Sequence, residues 1–235
     1  MAGRQEATQE HVVEILMERY ARRYCDDAGI RLADKPGPLY QLLVLATLLS
    51  ARISADVAVA AARELFAAGY RSPKAMADAS WQDRVDALGR GHYRRYDERT
   101  ATMLGDGAGL LTERWHGDLR RLRDEAGGDS GAIASLLTDF PGIGPGGADI
   151  FLREVQDVWP SVAPHVDAVM LKGARKVGLV GSQEGGGGGT LALPGREALA
   201  KLLTGHGEPG RLAAALVRVS LSDRAAGEVT AALGR

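Results

Sequence analysis

Three groups of residues have the types and spacing to do chemistry. The first is Pro141-Gly142-Ile143-Gly144, set between two apolar segments in ASLLTDFPGIGPGGADIFLREV, which begins at Ala134. Glycines at 142 and 144 permit positive φ and let an anion reach the main chain with no Cβ in the way. The helix expected after them, whose first turn holds Gly146, offers unpaired N–H groups and a positive dipole end. Together these make a cradle for a phosphate. Ile143 is expected to tuck between the two helices with Leu137 and Ile150 or Phe151. The tetrapeptide reads equally as an ordinary connection between two helices.

The second is Asp167, at the end of Ala163-Pro164-His165-Val166-Asp167. A carboxylate at a helix start, partly withdrawn from water, can stabilise a developing positive charge and orient or deprotonate a water molecule. It can also simply cap the helix. The third is basic. Arg90, Arg94, Arg95 and Arg99 are interleaved with Gly91, His92, Tyr93 and Tyr96, a run that fits nucleic-acid contact through exposed aromatics and also fits a solvated helix face. Arg52 stands apart from it. Arg114, Arg120, Arg121 and Arg123 form a second run, read as a solvated face.

These residues need helices to position them. From Gln5 to Asp27 the apolar positions Val12, Val13, Leu16, Tyr20 and Tyr24 recur at helical spacing, and Lys35-Pro36-Gly37-Pro38 ends that stripe. Leu39 to Ser50 reads as a buried central helix. Further helices are expected at Ala55–Ala68, Ser72–Ala77, Ser80–Leu88, Tyr96–Leu111, Trp115–Glu125 and Gly131–Thr138, with Ser72 and Ser80 as N-caps. Pro194–Leu203, Gly210–Leu221 and Arg224–Leu233 follow a glycine run, Gly185 to Gly189, read as a flexible connector. No segment alternates in the manner of a strand, so the fold class is all-α.

Composition narrows the function. With 45% hydrophobic residues in 235, the chain can fill a core. The formal charge of −1, from 29 Lys and Arg against 30 Asp and Glu, argues against indiscriminate coating of nucleic acid and leaves room for a local basic face. The single cysteine, Cys25, excludes an internal disulfide and a metal site built on several thiolates. The absence of a long apolar run or signal-like N-terminus leads to the expectation of a cytoplasmic protein with no membrane partner.

Leu137, Phe140, Pro141, Gly142, Ile143, Gly144 and Ala148 together resemble the helix-hairpin-helix signature of DNA glycosylases of the endonuclease III type. Val166 to Leu179, VDAVMLKGARKVGL, is similar to the family's aspartate segment, with Lys172 and Lys176 as its basic residues. Leu48 to Val57 is similar to a further family segment with Arg52 in place of the glutamine that fills the gap left by a flipped nucleotide. Gly89 to Tyr96 resembles the family's wedge loop, with His92 at the wedge followed by Tyr93 and Arg94.

The resemblance, which spans roughly Leu39 to Leu179, implies a six-helix barrel at about 38–155 and a second helical domain from 1–37 and 156–235, flanking a DNA-binding cleft. It implies a monomer acting on double-stranded DNA that carries a damaged or mismatched base, nucleoid-associated in the cell. It further implies a phosphate at the hairpin, Lys172 as a phosphate contact, and a monovalent sodium or potassium ion held by the main-chain carbonyls of Phe140 and Ile143 rather than by side chains.

Two departures shape the expected activity. Gly146 stands where bifunctional members carry a nucleophilic lysine, so strand cleavage is not expected and water becomes the nucleophile. The four-cysteine iron–sulfur loop is missing. Ala168 and Val169 replace polar residues after the aspartate, which leaves open a non-catalytic binder of distorted DNA. A helical protein-interaction module is the third alternative, favoured if Arg52, His92 and the hairpin lie on unrelated faces.

Overall fold

The apolar helix expected at Leu39 to Ser50 runs through the core of one compact unit of the structure, a computed structural model that describes residues 2–181 and 195–232, with side chains from residue 8 onward. This helix, α3 (Pro36–Leu49), buries every residue from Leu42 to Leu48. Each fully buried leucine there contributes about 1.5–3 kcal/mol relative to exposure. Pro36 and Pro38, expected as breakers, open the helix instead: proline's missing N–H is harmless in a first turn, where no intrahelical partner exists.

Every regular element among the described residues is helical. The chain divides into two compact units, a central one of Tyr24–Val162 and a terminal one of Met1–Arg23 with Ala163–Arg235. In the central unit α2 (Tyr24–Asp27) precedes α3, then come α4 (Ala55–Ala67), α5 (Pro73–Asp78), α6 (Trp81–Arg90), α7 (Asp97–Trp115), α8 (Leu119–Glu125), α9 (Ser130–Leu137) and α10 (Pro145–Val155). The terminal unit holds α1 (Ala2–Arg19), α11 (Ala168–Lys176), α12 (Arg196–Gly205), α13 (Pro209–Leu221) and α14 (Asp223–Ala232). The glycine run at 185–189 lies outside the described residues.

The stripe from Gln5 to Asp27 is not one helix. It stops at Arg19, and a new turn starts at Tyr24 because the buried Glu154 carboxylate accepts from the amides of Tyr24 (3.2 Å) and Cys25 (3.0 Å). The central unit accordingly extends beyond 38–155 at both ends, with Cys25, Trp159 and Val162 in its core.

The expected boundary after Leu111 also moves. Helix α7 runs on to Trp115, whose buried ring stacks on Phe140 at 5.5 Å, and His116 then ends it in a left-handed conformation at φ 53°. Ser72 and Ser80 cap α5 and α6 through the amides of Ala75 and Asp83. A buried arginine, Arg84, ties three helices together by donating to the carbonyls of Ala101 (2.8 Å), Met76 (2.9 Å) and Ala79 (2.8 Å). In the terminal unit α11 crosses α13 closely enough that a Cβ at Gly173 would collide with the Leu216 carbonyl.

Candidate nucleic-acid interface

Asp129 caps α9 through the Ala132 amide, and the helix ends at Leu137. The Ile143 amide then donates to the Phe140 carbonyl at 3.0 Å, closing a tight turn into α10. Gly142 takes φ +87°, a backbone form that L side chains rarely adopt, and a Cβ there would come within 2.8 Å of Met103. Gly144 does not use that freedom: its φ is −100°, and it caps α10 in extended conformation. Ile143, Leu137 and Phe151 are buried in the same core, and Ile150 packs against it half-buried.

The hairpin exposes main chain. Gly142, Gly144 and Gly146 are solvent-accessible, Pro141 is half-buried, and space is open where Cβ atoms at 144 and 146 would lie. No side chain caps the N-terminus of α10, and Pro145 at its first position has no N–H. First-turn amides such as that of Gly146 are therefore presented to an incoming anion beside the positive end of the helix.

Beside the hairpin lies a pocket of about 270 Å³ lined by Gly142, Ser50, Arg52, Tyr93, Tyr96 and Arg99, among others. Three elements meet there: the turn after α3 supplies Arg52, the loop after α6 supplies Tyr93, and α7 begins behind Tyr96. Arg52 and Arg99 are exposed and have no ion-pair partner among the described residues. The hydroxyls present lone pairs, because Ser50 donates to the Ala46 carbonyl (2.6 Å), Thr47 to that of Leu43 (2.9 Å) and Thr100 to the Tyr93 hydroxyl (3.3 Å). The wall offers acceptor lone pairs together with the Tyr93 O–H, and the arginines donate.

Tyr93 is a correction. Read as an exposed aromatic, it is only 1% accessible, packed in the core while still lining the pocket; burial pushes its pKa above the usual phenol value. Its neighbour His92 is exposed, at φ 62° on the tip of a tight turn in which the Tyr93 amide donates to Leu88 and the Arg94 amide to His92. Arg94 and Arg95 are exposed, the latter with its guanidinium 5.2 Å from the Tyr96 ring centre. Sequence reasoning names Tyr96 but misses Thr47, Ser50, Thr100 and Met103 as pocket residues. Their signal is helical spacing: 96, 100 and 103 share one face of the start of α7, and 47 and 50 one face of α3.

Asp167 and Lys172 belong to the terminal unit. Asp167 is 4% accessible and caps α11, its Oδ1 accepting from Val169 (2.7 Å) and Met170 (2.9 Å). Lys172 is exposed on α11. Lys176 is committed within its unit, donating to the Ser220 carbonyl (2.8 Å) and Asp223 (2.7 Å), a pairing that holds the Asp223 carboxyl below its ordinary pKa.

No protein-family model matches the chain, and no curated protein matches it.

Proposed function

We propose that the protein grips duplex DNA through the Pro141–Gly146 hairpin and hydrolyses the N-glycosidic bond of a flipped, damaged or mismatched base, without strand cleavage. The observation that carries this reading is that Gly142 of the hairpin lines the same pocket as Arg52, Tyr93 and Arg99. A phosphate held by hairpin amides would lie beside unpaired guanidinium groups suited to phosphate and base edges. The interaction-module alternative is favoured if Arg52, His92 and the hairpin lie on unrelated faces; that Arg52 and Gly142 line one pocket supports the DNA-binding reading instead.

In this reading Asp167 stabilises positive charge on the deoxyribose as the bond lengthens, and orients the attacking water. The water oxygen bonds to C1′, the glycosidic electron pair leaves with the base, and the water's proton passes to the carboxylate or solvent. Gly146 offers no amine, so the product is an abasic site. The carbonyls of Phe140 and Ile143 are the proposed main-chain ligands of a sodium or potassium ion; the domain arrangement is the two-domain, cleft-bearing one of the resemblance, acting as a monomer.

A second reading has its own support. Asp167 already has Oδ1 on two helix amides, and Ala168 and Val169 beside it are apolar, as expected of a capping residue in a non-catalytic binder of distorted DNA. The test is a panel of duplexes, each with one lesion, with and without alkali, alongside Asp167→Asn. Asparagine keeps the cap and removes the charge. Alkali-dependent breaks absent from the variant are expected; breaks without alkali would overturn the monofunctional assignment. Tighter binding of distorted duplexes with no excision would favour the second reading.

A further inference from the structure

At the opposite end of the α3–α4 pair lies a second pocket, of about 330 Å³, lined by Gly29, Gln41, Arg63, Phe66, Ala67 and Arg71. Gln41 precedes Ser50 by nine residues on α3, which places the two pockets roughly 13 Å apart along the helix axis. Nothing in the DNA-binding reading uses this cavity.

Its two arginines are tethered in the same way. Arg63 donates from Nε to the Asp27 carbonyl at 2.6 Å, and Arg71 from Nε to the Phe66 carbonyl at 2.8 Å. These bonds satisfy carbonyls at the C-terminal ends of α2 and α4. They occupy Nε alone and leave the terminal amino groups free of any carboxylate among the described residues. In this unit Arg90, Arg114, Arg120 and Arg123 are ion-paired to acids, whereas Arg63 and Arg71, like Arg52 and Arg99 at the other pocket, are not. Two tethered guanidinium groups lining one concavity, with Gln41 beside them and Phe66 as an apolar wall, can together meet the several oxygens of a tetrahedral anion.

The geometry points to a phosphate-binding site here, for a phosphomonoester or a backbone phosphate. Amide chemical shifts of the whole protein, titrated with inorganic phosphate at constant ionic strength against chloride, test it. Saturable shifts at Gly29, the Gln41 side chain and Ala67 are expected. Arg63→Gln and Arg71→Gln, each retaining a neutral donor for its carbonyl, should weaken binding roughly tenfold. Ala67→Glu places a negative charge on the exposed rim four residues from both arginines, removes neither guanidinium, and should also weaken binding. A nucleoside monophosphate and a short duplex distinguish the sources: the tighter of the two at these reporter residues identifies which. Shifts that do not saturate, that chloride reproduces, or that survive in Ala67→Glu and both arginine variants overturn the site.

Discussion

Two arginine runs in the central unit look alike in sequence and differ in what surrounds them. Arg114 reaches both Glu125 and Asp139 at 2.7 Å and lies 4.4 Å from the Trp115 ring centre. Arg120 pairs with Asp118 at 2.7 Å, and Arg123 with Asp34 at 3.0 Å, while Arg121 has no such partner among the described residues. In the other run Arg90 pairs with Glu64 at 3.0 Å, while Arg94, Arg95 and Arg99, and Arg52, which lines the hairpin pocket with Arg99, have no carboxylate partner among the described residues. Three of the four arginines of the one run are neutralised by acids, whereas Arg52 and Arg99, which line the hairpin pocket where main chain is also exposed, are not. Residue type alone does not tell a structural cation from one available to an anion; its partners do.

The sharpest way to break this comparison is to remove charge from each run and measure duplex binding. Arg52→Ala with Arg99→Ala should weaken binding by roughly ten- to a hundredfold and reduce the slope of log K against log salt by about 0.9 for each phosphate no longer neutralised. Arg114→Gln with Arg120→Gln should leave affinity within about twofold, since those charges are already engaged. Fluorescence anisotropy over a salt series checks both. Equal losses would dissolve the distinction.

The hairpin allows a smaller, internal comparison. Gly142→Ala must hold a side chain at φ +87° against Met103 and Thr47, and should destabilise by about 1–2 kcal/mol in urea unfolding. Gly146→Ala meets open space in the first turn of α10 and should stabilise by about 0.5–1 kcal/mol, because alanine loses less backbone entropy in a helix. Destabilisation of the same size at both would mean that the turn does not depend on the Gly142 conformation.

These glycines also mark where sequence reading succeeds. A left-handed residue at 142, serine caps at 72 and 80, and the buried run in α3 follow from local chemistry, which a linear pattern carries. The break at Tyr20–Arg23 does not. It depends on Glu154, 130 residues away from Tyr24, which leaves no local signal while supplying the cap that starts α2. Tyr93 misleads for a related reason: a basic, glycine-rich neighbourhood says surface, yet the tight turn at His92 points the next ring inward, where Thr100 meets its hydroxyl. Asp167 is legible as a cap, and its chemistry beyond that is a matter of the DNA it would face.

The least effect is expected in acid, and it separates the arginine runs by a property unrelated to DNA. The side-chain bond from Arg114, followed by that from the Trp115 indole, holds the Glu125 carboxyl below the ordinary glutamate range; Arg120 does the same to Asp118. A carboxyl whose pKa is lower folded than unfolded contributes stability at pH above its unfolded value and loses it as pH falls through the folded one. The destabilisation caused by Arg114→Gln with Arg120→Gln should thus be fully present at neutral pH and shrink below about pH 4. Its size is small because these pairs are exposed and screened by salt. Arg52→Ala with Arg99→Ala breaks no such pairing, so its effect on Tm should stay level over the same range. Thermal unfolding of the wild type and both double variants from neutral to acid pH gives the two difference curves. Two flat curves would mean that the Arg114 and Arg120 pairs exert no hold on their carboxylates, and the contrast between the runs would lose its structural half.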